Sequence, residues 1–295
     1  MDAALAHAAP ATGAARLTEA ELDRMAGEIG IPPCPAILSR FSDEISRPEP
    51  DVRALAGLIG TDLALSGSLL KLVNSPFYGL RSKATNVHQA LTIIGLRSAA
   101  NLVSGLILRQ AFPASSGPLM QHFWDRTSAL TGLAAAASRR FRGLDADQAY
   151  TYALFRDCGI ALMINKFPDY APTFSKMEYA AGSEVTADED MRYRFNHAQV
   201  GYALARGWLL PDPFCQAILH HHDMERIARG HRDTEEVDAR LVAFGALLDQ
   251  VHRLRSGRGL SPDWSAGEAF VLKTLDLSPE DIVALVEEPG EQEGA

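Results

Sequence analysis

Histidine and aspartate are the residues of this chain best suited to chemistry. Three histidines and an aspartate stand in a row, His220-His221-His222-Asp223, with His197 one helix earlier and Asp157 further upstream in an apolar stretch. Imidazole with carboxylate is the donor set of zinc, iron or manganese hydrolytic sites, where the metal lowers the pKa of bound water. A single histidine on a helix face is more often a hydrogen-bonded or surface residue, so it is the run that points to a site. Consecutive residues of a helix turn by about 100°. The run therefore predicts that at most two of its histidines can share one ion. Gly-rich phosphate cradles are missing, with no P-loop, no GxGxxG after a strand and no GxSxG turn.

Helices must position these residues, because the hydrophobic spacing is helical almost throughout. Residues 1–16 are small and low in complexity, which predicts a disordered lead. Thr18-Glu19-Ala20-Glu21 is a capping box for a helix ending at Gly30, and the prolines of Ile31-Pro32-Pro33-Cys34-Pro35 forbid helix after it. Asp51, Asp62 and Asn86 are placed to cap three further helices, with Gly60 and Gly95 as stops. A longer helix runs over residues 96–112, and Pro113-Ala114-Ser115-Ser116-Gly117-Pro118 marks a boundary between two lobes. Helices are then expected over residues 122–140, 145–167, 171–177, 188–207, 212–223 and 235–256, with Asp145-Ala146-Asp147-Gln148 as another capping arrangement. A last unit spans residues 264–288, where Ser278 caps and Pro279 takes the first helical position. No stretch alternates like a strand. The expectation is an all-α bundle of two lobes, at 17–112 and 119–256, with a helical extension and acidic tail at 257–295.

Composition narrows the partners. With 47% hydrophobic and 22% charged residues among 295, the chain can bury a real core. A net charge of −9 argues against general nucleic-acid binding, which needs a basic surface. No apolar run approaches the roughly 18 residues of a membrane span. The N-terminus has Asp2 where a secretory signal carries positive charge. Three distant cysteines, Cys34, Cys158 and Cys215, form neither a disulfide framework nor a cysteine zinc cluster. A cytoplasmic location without a membrane partner is expected.

Several stretches together resemble the HDOD family. They are Ile31-Pro32-Pro33-Cys34-Pro35-Ala36, the run from Leu58 to Leu65, Leu69-Leu70-Lys71-Leu72-Val73-Asn74-Ser75-Pro76-Phe77-Tyr78-Gly79, Gln89 to Leu96 and Asn101-Leu102-Val103. The second lobe adds Phe123-Trp124, Leu154 to Gly159, His197-Ala198-Gln199-Val200-Gly201 and Ala217 to Asp223. The resemblance implies a helical relative of the HD metal-dependent phosphohydrolases, with an HD-like core in the second lobe and an eroded catalytic apparatus. Such proteins are generally bacterial regulatory modules. By the same resemblance, the first ligand histidine falls at Arg126, the His-Asp pair reads Arg156-Asp157, and His197, His221 and His222 are kept. The late aspartate falls at Ala246, with Asp249 one turn on. Two arginines at ligand positions bring charge where a cation would sit. Like unit charges roughly 4 Å apart repel by about 4 kcal/mol at an effective dielectric of about 20. The arginines can instead pair with Asp157 and neighbouring carboxylates. A cyclic-dinucleotide phosphodiesterase of the HD-GYP type fits poorly, since Met224-Glu225-Arg226-Ile227 follows the histidines with no Gly-Tyr-Pro.

The remaining features have simpler readings beside their functional ones. Asn74, Phe77 and Tyr78 offer an interaction loop or, more simply, a cap on the first lobe. A helix-turn-helix at 62–75 would have only Lys71 for phosphate, so core packing is the better reading. Arg139-Arg140-Phe141-Arg142 reads as a solvated helix end, and Cys158 as an inert buried thiol. The functional expectation is a non-catalytic signalling module acting through protein contacts, with no resident metal or other cofactor. The alternatives are a phosphohydrolase with a reduced ligand set, or a nucleotide or second-messenger binder using Arg126 and Arg156.

Overall fold

Local capping chemistry starts the first helices. In the computed structural model, which describes residues 17–75, 78–138, 144 and 146–287, the Thr18 hydroxyl accepts the Glu21 N–H at 3.3 Å. The Glu21 carboxylate in turn accepts the Thr18 N–H at 2.8 Å, opening α1 (Glu19–Ile29), which Gly30 closes at φ 80°. After the proline run comes α2 (Ala36–Ile45). Asp51, Asp62 and Asn86 each accept a backbone N–H at 2.9 Å, opening α3 (Val52–Gly60), α4 (Leu63–Val73) and α5 (Val87–Ile94). Gly95, at φ 78°, ends α5 and leads into α6 (Leu96–Ala111). Gly60 is not the stop that was expected. It is the last helical residue of α3, and Thr61 caps it in a right-handed conformation. The expectations for residues 1–16, Phe77, Arg139–Arg142, Asp145 and the tail from 289 lie outside the described residues.

Beyond Gly117 the helices are α7 (Pro118–Ser138), α8 (Ala146–Phe155), α9 (Cys158–Lys166), α10 (Ala171–Lys176), α11 (Gly182–Tyr193), α12 (His197–Gly207) and α13 (Asp212–Leu219). They are followed by α14 (Met224–Ala228), α15 (Ala239–Arg255), α16 (Pro262–Leu275) and α17 (Pro279–Glu287). Every element among the described residues is helical, so the all-α expectation holds. The central helix is α15. It buries Leu241, Phe244, Leu247, Leu248 and Val251, and packs on α7, α8, α13 and α16.

Three expected helices are broken, and each break serves the same place. The helix expected over 145–167 stops at Phe155 and restarts at Cys158, leaving Arg156 and Asp157 between α8 and α9. The one expected over 188–207 begins earlier, at Gly182, and ends where Arg194 turns left-handed at φ 68°. Asn196 then caps α12 through a capping box with Gln199. The one expected over 212–223 ends at Leu219, so His221 and His222 lie in a turn.

One buried core runs through both lobes. The first helix, read with the N-terminal lobe, packs on α9 and α12 of the second, pairing Glu19 with Arg206. From the loop after it, the Pro32 carbonyl accepts the Trp208 indole N–H at 3.1 Å. Elsewhere α6 packs on α8, and the Tyr78 hydroxyl donates to Asp147 at 2.7 Å. No single helix among the described residues is long and apolar enough to cross a membrane.

Candidate functional site

The three breaks open onto one cleft, lined by Arg126 of α7, Arg156 and Asp157 of the α8–α9 junction, His197 of α12, and His221 and His222 of the turn after α13. Close backbone contact holds the junction in place. A Cβ on Gly159 would fall 1.9 Å from the His197 carbonyl oxygen, so only glycine lets α9 and α12 touch there. The cleft has two halves, which share Asp157.

On one side the two arginines meet two aspartates. Arg126 Nη1 lies 3.2 Å from Asp157 Oδ2, and its Nη2 lies 2.7 Å from Asp249 Oδ1. Arg156 pairs through Nη2 with Asp249 Oδ2, lies 3.6 Å from Asp157 Oδ2, and donates through Nη1 to the Gly245 carbonyl at 2.8 Å. The late carboxylate facing the centre is therefore Asp249, while Ala246 only lines the wall. Burial works against the Asp249 carboxylate, but the Arg156 and Arg126 guanidiniums outweigh it and hold the group below its ordinary range. Asp157 is held well below that range in the same way, with burial overcome by the Arg156 and Arg126 guanidiniums. The cations thus neutralise carboxylates and do not confront each other unpaired.

On the other side three imidazoles converge. His197 Nε2 lies 3.3 Å from His221 Nε2 and 3.1 Å from His222 Nε2. Two members of the run, His221 and His222, meet here with His197, within the limit of two expected of the run. A turn and not a helical face places the pair, because the helix ends at Leu219. His220, the remaining member of the run, turns away and bonds Asp223 at 2.8 Å.

The opposite nitrogen of each ring is committed. His197 Nδ1 is 2.7 Å from Glu189 Oε2, which also accepts the His197 backbone N–H at 2.9 Å. His221 Nδ1 is 2.7 Å from the Ile218 carbonyl, and His222 Nδ1 is 3.3 Å from Asp263 Oδ2. Carbonyl and carboxylate oxygens only accept, so each Nδ1 carries the proton and each Nε2 presents a lone pair. Burial, with the neighbouring His222, pushes His221 down to about 3, so its ring is neutral. Its Nε2 nonetheless faces Asp157 Oδ1 at 3.3 Å, acceptor against acceptor. Burial also opposes charge on His197, but Glu189 outweighs it and holds the ring above its ordinary value. A proton on His197 Nε2 can serve one neighbouring ring. The three Nε2 atoms and Asp157 Oδ1 would together hold a divalent cation.

These residues fit a metal ion. At Zn–N distances near 2.05 Å, tetrahedral ligand nitrogens stand about 3.3 Å apart, close to the separations found here. Three imidazoles and a carboxylate are a borderline donor set that suits zinc and its neighbours. Each ring also has the outer hydrogen bond that metal-ligating histidines ordinarily make.

The interaction loop is not part of this cleft. Asn74 clamps the backbone of Ala84, donating to its carbonyl at 2.8 Å and accepting its N–H at 2.7 Å, and Tyr78 is bonded to Asp147. Both are held within the fold. Cys158 is buried against Gly201, and burial raises its thiol. Sequence reasoning missed Glu189 and Asp263, acidic residues in helices whose surroundings give no local sign of burial. It also passed over Asn196-x-x-Gln199, a capping box that marks the start of α12.

Comparison with known proteins bears on the fold that carries this cleft. The sequence pattern of the HDOD domain family matches residues 31–224. An uncharacterized protein of Treponema pallidum (strain Nichols) is 25% identical over 196 residues, which is 66% of this chain but only 38% of that protein. Among solved structures, an HDOD domain protein of unknown function from Geobacter sulfurreducens aligns with a TM-score of 0.57 at 22% identity, covering 90% of this chain and 95% of that one. A Shewanella amazonensis SB2B protein provisionally named a phosphohydrolase aligns at 0.61 and 19% identity, covering 89% and 91%. A Marinobacter aquaeolei VT8 protein provisionally named for signal transduction aligns at 0.59 and 21%, covering 89% of this chain and 58% of that one. At these identities the likeness is one of fold.

Proposed function

The chain belongs to the HDOD domain family, and on that premise we propose that it is a non-catalytic bacterial regulatory module, acting in the cytoplasm through contacts with other signalling proteins. One observation carries this reading. Arg126 and Arg156 stand where the HD-type resemblance expects ligand histidines, and they neutralise the two carboxylates, Asp157 and Asp249, that would otherwise face a cation. A phosphoester drawn to this half meets a centre whose charges are already paired. The same pairing speaks against a nucleotide held by these arginines, because a phosphate must first displace Asp157 or Asp249.

The test is hydrolysis by the purified chain of nucleoside monophosphates, cyclic nucleotides and cyclic dinucleotides with manganese, iron or zinc. No turnover above buffer is expected. Multiple turnover that disappears in His221→Ala overturns the reading.

The converging imidazoles favour a second, compatible reading, in which the cleft holds one transition-metal ion. His197, His221, His222 and Asp157 would hold it. Such an ion, when bound, supplies Lewis acidity and a rigid cross-link. The residues of the chain already provide the framework: Glu189 and the Ile218 carbonyl orient two of the rings, while the arginine pairs occupy the side where a second ion would sit. In this reading His197 of α12 and the two histidines of the turn after α13 would be tied together at one site.

A further inference from the structure

His222 is the least secured of the three rings. His197 and His221 are held by oxygen atoms at 2.7 Å from nearby elements, whereas His222 lies in a turn with its side chain 17% exposed. Its support comes from far along the chain. Asp263, in the first turn of α16, places Oδ2 3.3 Å from His222 Nδ1 and accepts the Gly182 N–H through Oδ1 at 2.9 Å. Gly182 opens α11, and a Cβ there would fall 1.8 Å from His222 Nδ1, so the ring lies directly on the glycine backbone. The start of α16 is fixed in turn. Ser261 caps it by accepting the Trp264 N–H at 3.0 Å, and the Ser261 N–H donates at 3.0 Å to Gln250, fully buried on α15. Trp264 is 2% exposed, and Met224 packs against Gly267.

We infer that Asp263 is a positioning residue for His222, and that the segment beyond the family match at 224 completes the three-histidine centre by cradling that ring between Asp263 and Gly182. The inference rests on the reading of the three histidines as a cation site. Its chemistry is that of an outer carboxylate. By accepting the Nδ1 proton it fixes the tautomer, turns the Nε2 lone pair inward and makes that nitrogen a better donor to a cation. Arg258, Ser261 and Trp264 of the same segment line the cleft, so the extension is a wall of the site as well as a prop for one ring.

The experiment uses the full chain, stripped by chelation and titrated with Co2+ and with Zn2+ against a chromophoric chelator. The wild type is expected to bind one ion with the absorption bands of tetrahedral Co2+. Removal of an outer-shell partner ordinarily costs about 10–100-fold in affinity, and Asp263→Ala and Gly182→Ala are each expected to fall in that range. His221→Ala should abolish binding. Imidazole 15N shifts of the metal-free protein give an independent readout: His222 is expected as the Nδ1–H tautomer in the wild type and as Nε2–H in Asp263→Ala. If Asp263→Ala binds as tightly as wild type and keeps its tautomer, the inference falls while the cation site stands. A wild type that binds neither ion overturns both. Should Asp263→Ala not fold, Asp263→Asn, which keeps an oxygen for the Gly182 N–H, is judged by the same two readouts.

Discussion

The arginine half and the histidine half of the cleft share Asp157, yet they solve opposite problems. In the first, two guanidiniums bring their own positive charge and spend it on Asp157 and Asp249. In the second, two carboxylates and a carbonyl accept hydrogen bonds from the three Nδ1–H groups, so the His197 Nε2 lone pair meets those of His221 and His222, and His221 Nε2 also faces Asp157 Oδ1. One half carries its cation covalently, as side chains. The other offers three ring nitrogens and a carboxylate oxygen to a cation that side chains do not supply. The two arginines settle the charge balance of their own side only, and leave the three imidazoles their lone pairs.

The largest expected effect comes from breaking the arginine half. Arg156→Met leaves Asp157 and Asp249 buried with half their compensation and strips a donor from the Gly245 carbonyl. Removing one partner of a buried pair costs about 3–5 kcal/mol, which equilibrium unfolding in urea will measure. A loss below about 1 kcal/mol, the range of an exposed ion pair, would show that the arginines are ornamental.

The acid limb of stability sharpens the same point. Because Asp249 is held below its ordinary range in the folded state, its contribution is fully present above the usual aspartate pKa and is lost as pH falls through the lowered folded value. The wild type should therefore lose stability on acidification below about pH 4, and Arg156→Met should lose less. Equal acid slopes in the two proteins would contradict the pairing.

The histidine half predicts a smaller and conditional effect. Zinc at 100 times its dissociation constant should stabilise the wild type by about 2.7 kcal/mol, seen as a higher melting temperature that chelation reverses. His197→Ala should melt at the same temperature with and without zinc. A zinc-induced rise retained in His197→Ala would place the ion elsewhere.

The smallest effect belongs to the link between lobes. Tyr78→Phe removes the hydrogen bond to Asp147 and should cost about 1 kcal/mol with no change in metal binding. Altered metal affinity in that variant would tie this contact to the centre.

How much of this was legible in the sequence follows from how local each cause is. Thr18, Asp51, Asp62 and Asn86 cap helices through bonds spanning three residues, and all four could be read in advance. The breaks at Arg156–Asp157 and after Leu219 could not. Helices α8 and α9 are buried on nearly every side and apolar residues resume directly after Asp157, so periodicity carries no mark of that break. After Leu219 the polar run His220-His221-His222-Asp223 reads equally well as a last helical turn. The third break did leave a sign, the Asn196–Gln199 box, hidden inside a longer helical pattern. The candidate ligands were visible as residue types, but the groups that orient them were not. Glu189 sits in the acidic stretch Asp188-Glu189-Asp190, where one fully buried carboxylate looks like its neighbours. Asp263 reads as an ordinary first-turn acid, 41 residues from the ring it supports, and only tertiary packing joins them.

The most direct measurement is metal stoichiometry by elemental mass spectrometry, on the wild-type chain loaded with zinc and then exhaustively dialysed. A split cleft predicts one equivalent, lost in His197→Ala. Two equivalents would mean that the arginine half also accepts an ion, and none would mean that the three imidazoles do not make a cation site. Either of those results contradicts the account.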